Sequence, residues 1–197
     1  MSGDARDPGY FDALYAASAD PWRFETSAYE SAKYDETIAA LPAARYDRAV
    51  EIGCSIGVLT ERLAARCDAL LGIDVAQAAL DRAQVRCAAL PAVRFQRLRL
   101  PDEMPAGHFD LILLSEVLYY FDAATLAKLG DRLRAVTAPA ADIVMVHWLG
   151  PTPDYPSTGD AAVTGFLAAT QGWASVTRQV RRQDYRLDVL HAVPALR

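Results

Sequence analysis

The feature that most constrains the fold is an alternation of two kinds of sequence between residues 48 and 148. Short runs rich in β-branched and aliphatic residues alternate with longer runs whose apolar residues recur at helical spacing. Parallel strands require crossover connections, and crossover helices cover the faces of the sheet. The run 109–114 is apolar enough for a central strand that is covered on both faces. The alternation therefore predicts an α/β fold with a mostly parallel sheet and helices on both of its faces.

The element boundaries follow from this periodicity and from turn residues. Five strands are expected first, at 48–52, 69–73, 93–96, 109–114 and 143–148, with helices at 58–66, 76–89 and 123–136, the last of them stopped by Pro139. After three prolines the pattern changes to a helix at 159–171 and two strands at 173–180 and 185–193. The connection around 181–184 is short, which favours an antiparallel pair.

The segment 51–57, which reads EIGCSIG, joins the first predicted strand to the first helix. Open α/β sheets bind ligands at the carboxyl ends of their strands. Gly53 permits a backbone conformation and a close approach that a Cβ would block, and Gly57 lets the helix start close to the strand or to a ligand. The loop is therefore predicted to touch a cofactor with bare backbone. The alternative is a plain tight turn between strand and helix.

Two acids accompany this loop. Glu51 precedes the glycines, and Asp74 ends the second strand about 20 residues downstream, where an acid can bind ribose hydroxyls. The spacing acid-x-Gly-x-x-x-Gly differs from the G-x-G-x-x-G fingerprint of nicotinamide dinucleotide sites. A carboxylate is unfavourable beside a diphosphate and favourable beside an ammonium or sulfonium group. S-adenosylmethionine is therefore favoured over NAD. The alternative role for Asp74 is a cap on the helix that follows.

Composition and charge limit the partners. The 197 residues are 52% hydrophobic and 23% charged, which is ordinary for one globular domain. The formal net charge of −5 provides no basic field for nucleic acid. No apolar run approaches the ~18 residues of a membrane span, and the first seven residues carry acids where a signal peptide is basic and then apolar. We therefore expect a small-molecule substrate, neither nucleic acid nor membrane as partner, and a cytoplasmic location.

Cysteines and histidines favour no metal or disulfide site. The three cysteines are odd in number and lack CxxC spacing. Cys54 and Cys87 are expected to be small buried residues, because nothing near them is basic enough to produce a reactive thiolate. The three histidines lie far apart in the sequence. No metal ion is expected.

Four segments resemble, in order, the class I S-adenosylmethionine-dependent methyltransferases and, within them, the nodulation protein S family. They are 20–23 (DPWR), 51–54 (EIGC), 59–64 (LTERLA) and 116–120 (EVLYY). The resemblance implies a Rossmann-like, seven-stranded, mostly parallel sheet whose C-terminal hairpin contributes the one antiparallel strand. It implies S-adenosylmethionine as cofactor and S-adenosylhomocysteine as product. It also implies N-methylation of an amine such as the deacetylated glucosamine end of a chitooligosaccharide.

The same resemblance assigns each part of the cofactor to particular residues. Gly53 and its neighbours are implied to contact the methionine part and Asp74 the ribose, while Leu98 and Arg99 lie by the adenine. Many relatives have an acid at this last position, so Arg99 implies a backbone contact to the adenine rather than a side-chain contact. The expected cofactor-binding residues are Trp22, Arg23, Glu51, Gly53, Cys54, Gly57, Asp74, Val75, Leu98, Arg99 and Ser115.

Candidates for the chemistry lie at the ends of the fourth and fifth strands. An amine nucleophile must lose its proton, so a carboxylate or imidazole beside it is useful. Glu116 is the first candidate for binding or deprotonating the amine, with a helix cap as the alternative. His147 is the second, and its alternative is an inward imidazole hydrogen-bonded to backbone. Tyr119, Tyr120 and Asp160 are the expected substrate-binding residues, although a solvated loop acid is the alternative for Asp160.

The segment before the first strand is predicted to close over the cofactor. Trp22 is expected to act as an apolar lid and Arg23 to pair with the cofactor carboxylate. The alternative for Trp22 is packing on the sheet edge. One domain is expected, comprising a helical lid segment (1–46), a cofactor-binding core (47–149) and a substrate-side helix with the C-terminal hairpin (150–197).

The sequence supports one leading function and two alternatives. The leading one is methyl transfer from S-adenosylmethionine to an amine on a small molecule such as an amino sugar. O-methylation is the alternative within enzymes, because Glu116 or His147 can serve either acceptor. A non-catalytic protein that binds the cofactor and docks a partner is the alternative of another class.

Overall fold

The computed structural model describes residues 8–193; the ends of the predicted lid and hairpin segments, 1–7 and 194–197, lie outside this range. Two N-terminal helices, α1 (Pro8–Ala17) and α2 (Ala28–Ala39), precede the sheet. The remaining elements are β1 (Ala49–Ile52), α3 (Val58–Leu63), β2 (Leu70–Asp74), α4 (Gln77–Arg86), β3 (Val93–Arg97), β4 (Phe109–Ser115), α5 (Ala123–Arg134), β5 (Thr137–Trp148), α6 (Gly159–Thr170), β6 (Ala174–Arg181) and β7 (Tyr185–Ala192).

The seven strands form one sheet in the order β3-β2-β1-β4-β5-β7-β6. Strands β1 to β5 pair in parallel, and β7 runs antiparallel to both β5 and β6. The predicted fold class is therefore confirmed, including the C-terminal hairpin. Within residues 8–193, no helix combines the length and apolar character needed to cross a membrane.

Alternate residues of the central strand β4 face two separate cores. Leu111 and Leu113 belong to a cluster with residues of α2, α3 and α4, while Ile112 and Leu114 belong to a second cluster with residues of α5 and α6. All four side chains are fully buried. Burying both faces of the strand explains why 109–114 is a continuous apolar run.

Strand β5 begins six residues earlier than predicted, at Thr137 instead of residue 143. We expected Pro139 to stop a helix, but α5 ends at Arg134 and the proline lies inside the strand. The register with β4 shifts between Phe109 and Leu111, and Ala140 has a φ of 59°. A proline is tolerated in a strand at such an irregularity because no ladder hydrogen bond is lost there.

The carboxyl ends of β1, β2, β4 and β5 meet at one edge of the sheet, and the segments that follow them carry most of the predicted site residues. Helix α1 contacts α4 on the side of this edge: the Arg82 guanidinium donates hydrogen bonds to the carbonyl oxygens of Tyr15 and Ala19 at 3.3 and 3.1 Å. The N-terminal segment is thereby held against the half of the sheet that contains β2 and β3.

Candidate functional site

A cavity of about 680 Å³ opens at the carboxyl edge of the sheet. This volume is within the ~300–1,000 Å³ typical of small-molecule sites. The N-terminal helices and the segments after β1 to β5 form its walls. The predicted residues that line it are Trp22, Glu51, Gly53, Cys54, Asp74, Val75, Leu98, Arg99, Ser115, Glu116, Tyr119 and Tyr120. Four predicted residues do not line it: Arg23, Gly57, His147 and Asp160.

The loop after β1 has the backbone that its glycines permit. Gly53 has a φ of 81°, and a Cβ at this position would lie 3.0 Å from the carbonyl oxygen of Ser115. Gly57 has a φ of 80°, and its Cβ would lie 3.0 Å from that of Ala83 on α4. Gly53 therefore brings bare backbone to the cavity wall, while Gly57 lets α3 start close against α4 instead of contacting a ligand.

Asp74 lies at the end of β2 and organises this loop. Its Oδ2 accepts a hydrogen bond from the backbone N–H of Ser55, and its Oδ1 accepts one from that of Ala76, both at 2.9 Å. Burial raises the pKa of Asp74, and these backbone donors oppose the increase. The carboxylate contacts the residue before α4 without forming a side-chain cap to the helix, and it lies at the cavity wall, so its contact with ribose hydroxyls stays a prediction.

Glu51 is buried within β1, and its Oε2 accepts a hydrogen bond of 2.6 Å from the Thr60 hydroxyl on α3. Burial raises its pKa to about 8, although the Thr60 hydrogen bond acts in the opposite direction. A cation in the cavity would lower this pKa, because opposite charge favours the ionised form. With this pKa Glu51 is largely protonated at neutral pH when no cation is near, so the contact with a cationic cofactor that its loop motif suggests stays a prediction.

The end of the cavity near β3 is occupied by Leu98 and Arg99. The N–H of Leu98 donates to the carbonyl oxygen of Asp74 at 3.2 Å, and the N–H of Arg99 donates to Oε2 of Glu103 at 2.7 Å. Both backbone donors are engaged within the protein. The backbone contact to adenine that the resemblance implies must therefore displace one of these bonds or use a carbonyl oxygen.

Glu116 lies in the left-handed backbone region, with a φ of 53°, directly after β4. Its Oε1 accepts a hydrogen bond of 2.5 Å from Lys33, and its Oε2 accepts bonds from the Tyr119 hydroxyl at 3.0 Å and the Trp148 N–H at 2.8 Å. Such strained non-glycine conformations cluster at functional sites. The side chain does not cap the 3₁₀ turn at Leu118–Tyr120, so the cap alternative is wrong.

These contacts make Glu116 a weaker base than an isolated buried carboxyl would be. Burial by itself would raise the pKa of Glu116, but the positive charge of Lys33 and the hydrogen bonds from Lys33 and the Trp148 N–H outweigh it, and the net pKa is lowered. Every oxygen of the carboxylate has a partner in the protein. Glu116 lies at the cavity wall as predicted, but as a fixed negative charge.

His147 lies on β5 and is fully buried outside the cavity wall. Its Nε2 is within 3.3 Å of the Val117 N–H and 3.0 Å of the Leu118 N–H, and both donate to it. An imidazole that accepts at Nε2 carries its proton on Nδ1. This is the alternative arrangement, an inward ring bonded to backbone. His147 is therefore not placed as the base that we expected, because its basic nitrogen, Nε2, already accepts hydrogen bonds from the turn after Glu116.

The stability of the fold should therefore depend on pH through His147. Burial lowers the pKa of His147 from 6.5 to about 4, so the unfolded state binds the extra proton between these pH values. Stability conferred by the neutral ring is present above pH 6.5 and is lost as the pH falls towards 4. The loss is about 3 kcal/mol for a shift of this size.

Urea unfolding at several pH values tests this expectation. His147→Gln keeps an acceptor for the two N–H groups but does not titrate, so its free energy of unfolding should fall by about 3 kcal/mol less than that of the wild type between pH 6.5 and 4. His108→Gln removes an exposed imidazole and is the matched control. Parallel curves for wild type and His147→Gln would contradict a buried neutral ring.

Aromatic side chains enclose the cavity. Near the N-terminus, Trp22 stacks on Phe24 with ring centroids 5.6 Å apart and meets the edge of Tyr15 at 5.7 Å. Tyr15 shares a hydrogen bond between its hydroxyl and that of Ser55 in the glycine loop. Trp22 is half-buried at the cavity wall and packs against the core, so its action as a lid over the cofactor stays a prediction.

A second aromatic group lies beside Glu116. Tyr119 stacks on Tyr155 with ring centroids 5.4 Å apart and an interplanar angle of 7°, and Tyr120 contacts Tyr155 at 4.6 Å. Both predicted tyrosines line the cavity. Tyr155 comes from the segment between β5 and α6, so this segment contributes to the wall through an aromatic ring rather than through an acid.

Arg23 and Asp160 lie elsewhere. Arg23 is exposed, with a φ of 60°, and does not reach the cavity wall. Asp160 lies in the first turn of α6, where Arg181 and Arg186 donate hydrogen bonds of 2.6 to 2.9 Å to its carboxylate. The hydrogen bonds from these two arginines lower the pKa of Asp160 to about 2. The substrate role expected for Asp160 thus has no geometric support, because its charge is neutralised on the protein surface.

Helix α2 supplies site residues that we did not predict. Its buried positions are Glu30, Lys33, Tyr34 and Thr37, which recur at the i, i+3, i+4, i+7 spacing of one helical face. A buried helical face made of charged and polar residues is the signal that was present in the sequence. Such a face costs free energy unless its groups are paired, so it indicates partners across the fold.

Other unpredicted residues form the rest of the wall. Tyr29 and Trp148 meet edge to face with centroids 5.8 Å apart. Among residues 8–193, no group of three or more His, Cys, Asp or Glu side chains is arranged to hold a metal ion. The further unpredicted residues of the wall include Phe11, Ser27, Val58, Leu59, Leu100, Pro101, Asp102, Val117, Phe121, Thr125, Lys128, Pro151 and Thr152.

The sequence of this chain matches the family model of nodulation protein S over residues 13–142. The chain belongs to the nodulation protein S family. A nodulation protein S from Bradyrhizobium diazoefficiens is 35% identical over 105 residues, which are 51% of this chain and 49% of the relative. The chain thus matches about half the length of this curated relative.

Two solved structures place the fold of this nodulation protein S family member among methyltransferases. A putative methyltransferase from Pseudomonas syringae is 36% identical, with a TM-score of 0.72 over 83% of this chain and 98% of that one. The N-methyltransferase NodS from Bradyrhizobium japonicum WM9, in complex with S-adenosylhomocysteine, has a TM-score of 0.82 at 24% identity, over 94% of this chain and 99% of that one. The Rossmann-like methyltransferase fold therefore extends over nearly the whole chain.

Proposed function

We propose that this protein transfers a methyl group from S-adenosylmethionine to an amine on a small molecule, such as an amino sugar. One observation carries the proposal. A single cavity joins the glycine loop and Asp74 at one end to the buried carboxylates of Glu30 and Glu116 at the other. The first end suits a ribose-containing ligand and the second suits a cationic amine.

The residues present fit the cofactor. Gly53 leaves a space that a Cβ would fill, Asp74 offers carboxylate oxygens to ribose hydroxyls, and Trp22 provides an apolar cover. When bound, S-adenosylmethionine supplies a methyl group on a positively charged sulfur. The protein must hold the acceptor in line with that methyl in a site from which water is excluded, since near-attack geometry contributes about 7–11 kcal/mol.

The acid–base composition of the cavity favours an amine as acceptor. Five acids line it, namely Glu30, Glu51, Asp74, Asp102 and Glu116, against the three bases Lys33, Arg99 and Lys128, of which Lys33 is the buried one. An ammonium group entering such a site is attracted, because negative charge predominates in surroundings of low polarity. The solved relative described as an N-methyltransferase supports the same type of acceptor.

The cytoplasmic location predicted from the sequence belongs to this proposal. Cys54, Cys67 and Cys87 are free and buried. Free cysteines are usual in reducing compartments, where glutathione and thioredoxin keep thiols reduced.

Calorimetry and a transfer assay test the function directly. We expect S-adenosylhomocysteine to bind and NAD to give no heat. With S-adenosylmethionine carrying a labelled methyl group, label should transfer to a chitooligosaccharide that ends in glucosamine. The fully N-acetylated oligosaccharide is the control and should remain unlabelled, because its amide nitrogens are not nucleophilic. Label on the acetylated control would indicate O-methylation, and absence of S-adenosylhomocysteine binding would refute the proposal.

A further inference from the structure

Two buried polar atoms in the cavity wall have no hydrogen-bond partner in the part of the chain that the structure describes. They are Oε2 of Glu30 and the hydroxyl of Tyr29. Both residues lie in the first turn of α2 and both line the cavity. Glu30 is 9% exposed. Since nearly all buried polar groups in proteins are paired, these two atoms indicate a polar ligand that occupies this end of the cavity.

Lys33 accounts for the other carboxylate oxygens around them. Its Nζ lies 3.0 Å from both oxygens of Glu30 and donates a hydrogen bond to Oε1, and it donates a second bond of 2.5 Å to Oε1 of Glu116. The remaining oxygen of Glu116 already accepts from Tyr119 and Trp148. Of the four oxygens on these two carboxylates, Oε2 of Glu30 is therefore the one that accepts no hydrogen bond within the protein, which leaves it free to accept one from a ligand.

The position of Tyr29 is fixed by its neighbours. Its ring meets the edges of Trp148 and Tyr185 at centroid distances of 5.8 and 6.0 Å, and Lys33 Nζ lies 5.1 Å from its centroid. A phenol held in this way presents its hydroxyl in a defined direction. The hydroxyl and the free oxygen of Glu30 together offer one group that donates or accepts and one that accepts.

We infer that Glu30 and Tyr29 form the amine subsite, and that Oε2 of Glu30 takes the proton of the bound ammonium before methyl transfer. This inference rests on the proposed function and deepens it. It moves the role of base, which we first assigned to Glu116, to a carboxylate on the N-terminal helix. Glu116 then acts as a positioning residue that holds Lys33, Tyr119 and the end of β5.

The reaction balances with these groups alone. The ammonium transfers one proton to the Glu30 carboxylate and becomes a neutral amine. The lone pair of the amine nitrogen forms the new bond to the methyl carbon, while the bond between sulfur and methyl breaks and its electron pair returns to sulfur. The products are a methylated ammonium, a neutral thioether and a protonated Glu30. Glu30 then releases the proton to solvent, which restores the starting carboxylate.

The electrostatic surroundings of Glu30 agree with this role. Lys33 and Tyr34 face it from α2 itself, and Glu116 faces it from the segment after β4. Burial raises the pKa of Glu30, the positive charge of Lys33 lowers it, and the net pKa is raised. The pKa of Glu116 is lowered. A carboxylate whose pKa lies closer to neutrality is the more efficient proton acceptor at neutral pH.

Glu30→Gln tests the inference, because it keeps the size of the side chain and removes the basic oxygen. With the glucosamine-terminated oligosaccharide, kcat/KM at pH 7 should fall by about 10²- to 10⁴-fold. The deficit should shrink as the pH rises, because an increasing share of the acceptor then enters as free amine. The Kd of the oligosaccharide, measured by calorimetry with S-adenosylhomocysteine present, should rise by about 10- to 100-fold at pH 7.

Two further variants complete the design. Asp35→Asn removes a carboxylate on the exposed side of the same helix and should leave kcat/KM unchanged. Glu116→Gln should lower kcat/KM by a factor that does not change with pH, as expected of a positioning residue. Binding of S-adenosylhomocysteine should be the same in wild type and Glu30→Gln, which shows that the variant is folded.

The outcomes separate the inference from the proposed function. A pH-dependent deficit in Glu30→Gln supports the inference. A deficit that is equal at every pH means that Glu30 is structural and overturns it. A pH-dependent deficit in Glu116→Gln, with Glu30→Gln unaffected, overturns it in favour of Glu116. Wild-type protein that binds S-adenosylhomocysteine but labels no amine overturns the proposed function, and the inference falls with it.

Discussion

Lys33→Met should destabilise the protein by about 3–5 kcal/mol at pH 8, because removing one partner of a buried ion pair leaves the other charge uncompensated. The Lys33 side chain is 1% exposed and contacts the side chains of both Glu30 and Glu116, which are themselves 11% and 14% exposed. Methionine fills similar space, so the loss arises from charge rather than from a cavity. Urea unfolding measures the change as a lower midpoint.

The pH dependence of this loss identifies its cause. Without Lys33, the pKa values of Glu30 and Glu116 in the folded state should lie above their unfolded values, because the positive charge that most strongly opposes the effect of burial is then gone. The folded state binds more protons than the unfolded state in that range, so the penalty is greatest at high pH and decreases as the pH falls towards 5. Lys128→Met is the control. Its ion pair with Asp102 is more than half exposed, and such a pair is worth about 1 kcal/mol or less.

A Lys33→Met variant as stable as the Lys128→Met control would contradict the buried triad. It would mean that water hydrates the carboxylates of Glu30 and Glu116 at the cavity end near α2. The same result would weaken the amine subsite, since the unpartnered oxygen of Glu30 would then be satisfied by water instead of by a ligand.

The sheet and the cofactor end of the cavity were predictable because their signals are local. Strands β1, β2 and β4 pass through the core as apolar runs, and the loop at 51–57 carries its glycines where a positive φ is required. Asp74 follows from its place at the end of β2. Each of these features depends on a few consecutive residues, and parallel topology then brings them to the same edge.

The acceptor end was not predictable because its contacts join distant parts of the chain. Lys33 and Glu116 are 83 positions apart, and neither residue shows from its neighbours that it pairs with the other. Asp160, by contrast, was predicted to belong to the site and lies outside the cavity wall. We expected this acid to face the substrate, but it forms ion pairs with Arg181 and Arg186 of the C-terminal hairpin.

Asp74→Asn is expected to weaken S-adenosylhomocysteine binding by about 10- to 100-fold, since hydrogen bonds to a charged group are worth about 1.5–3 kcal/mol. Two contributions add in the same direction. The ribose hydroxyls lose a carboxylate acceptor. In addition, the asparagine NH₂ group, which can only donate, replaces one of the two Asp74 oxygens that accept the N–H groups of Ser55 and Ala76. Calorimetry at pH 7.5 measures the change.

Asp81→Asn is the matched control for this effect. Asp81 lies on the exposed side of α4, where its carboxylate accepts a hydrogen bond from Gln77, so the substitution removes the same charge without touching the cavity. If Asp81→Asn binds like the wild type and Asp74→Asn does not, the loss belongs to the site rather than to net charge. Equal affinity in all three proteins would exclude Asp74 from ribose binding. The glycine loop would then contact the ligand through backbone alone, and the acid at the end of β2 would serve only to hold Ser55 and the start of α4.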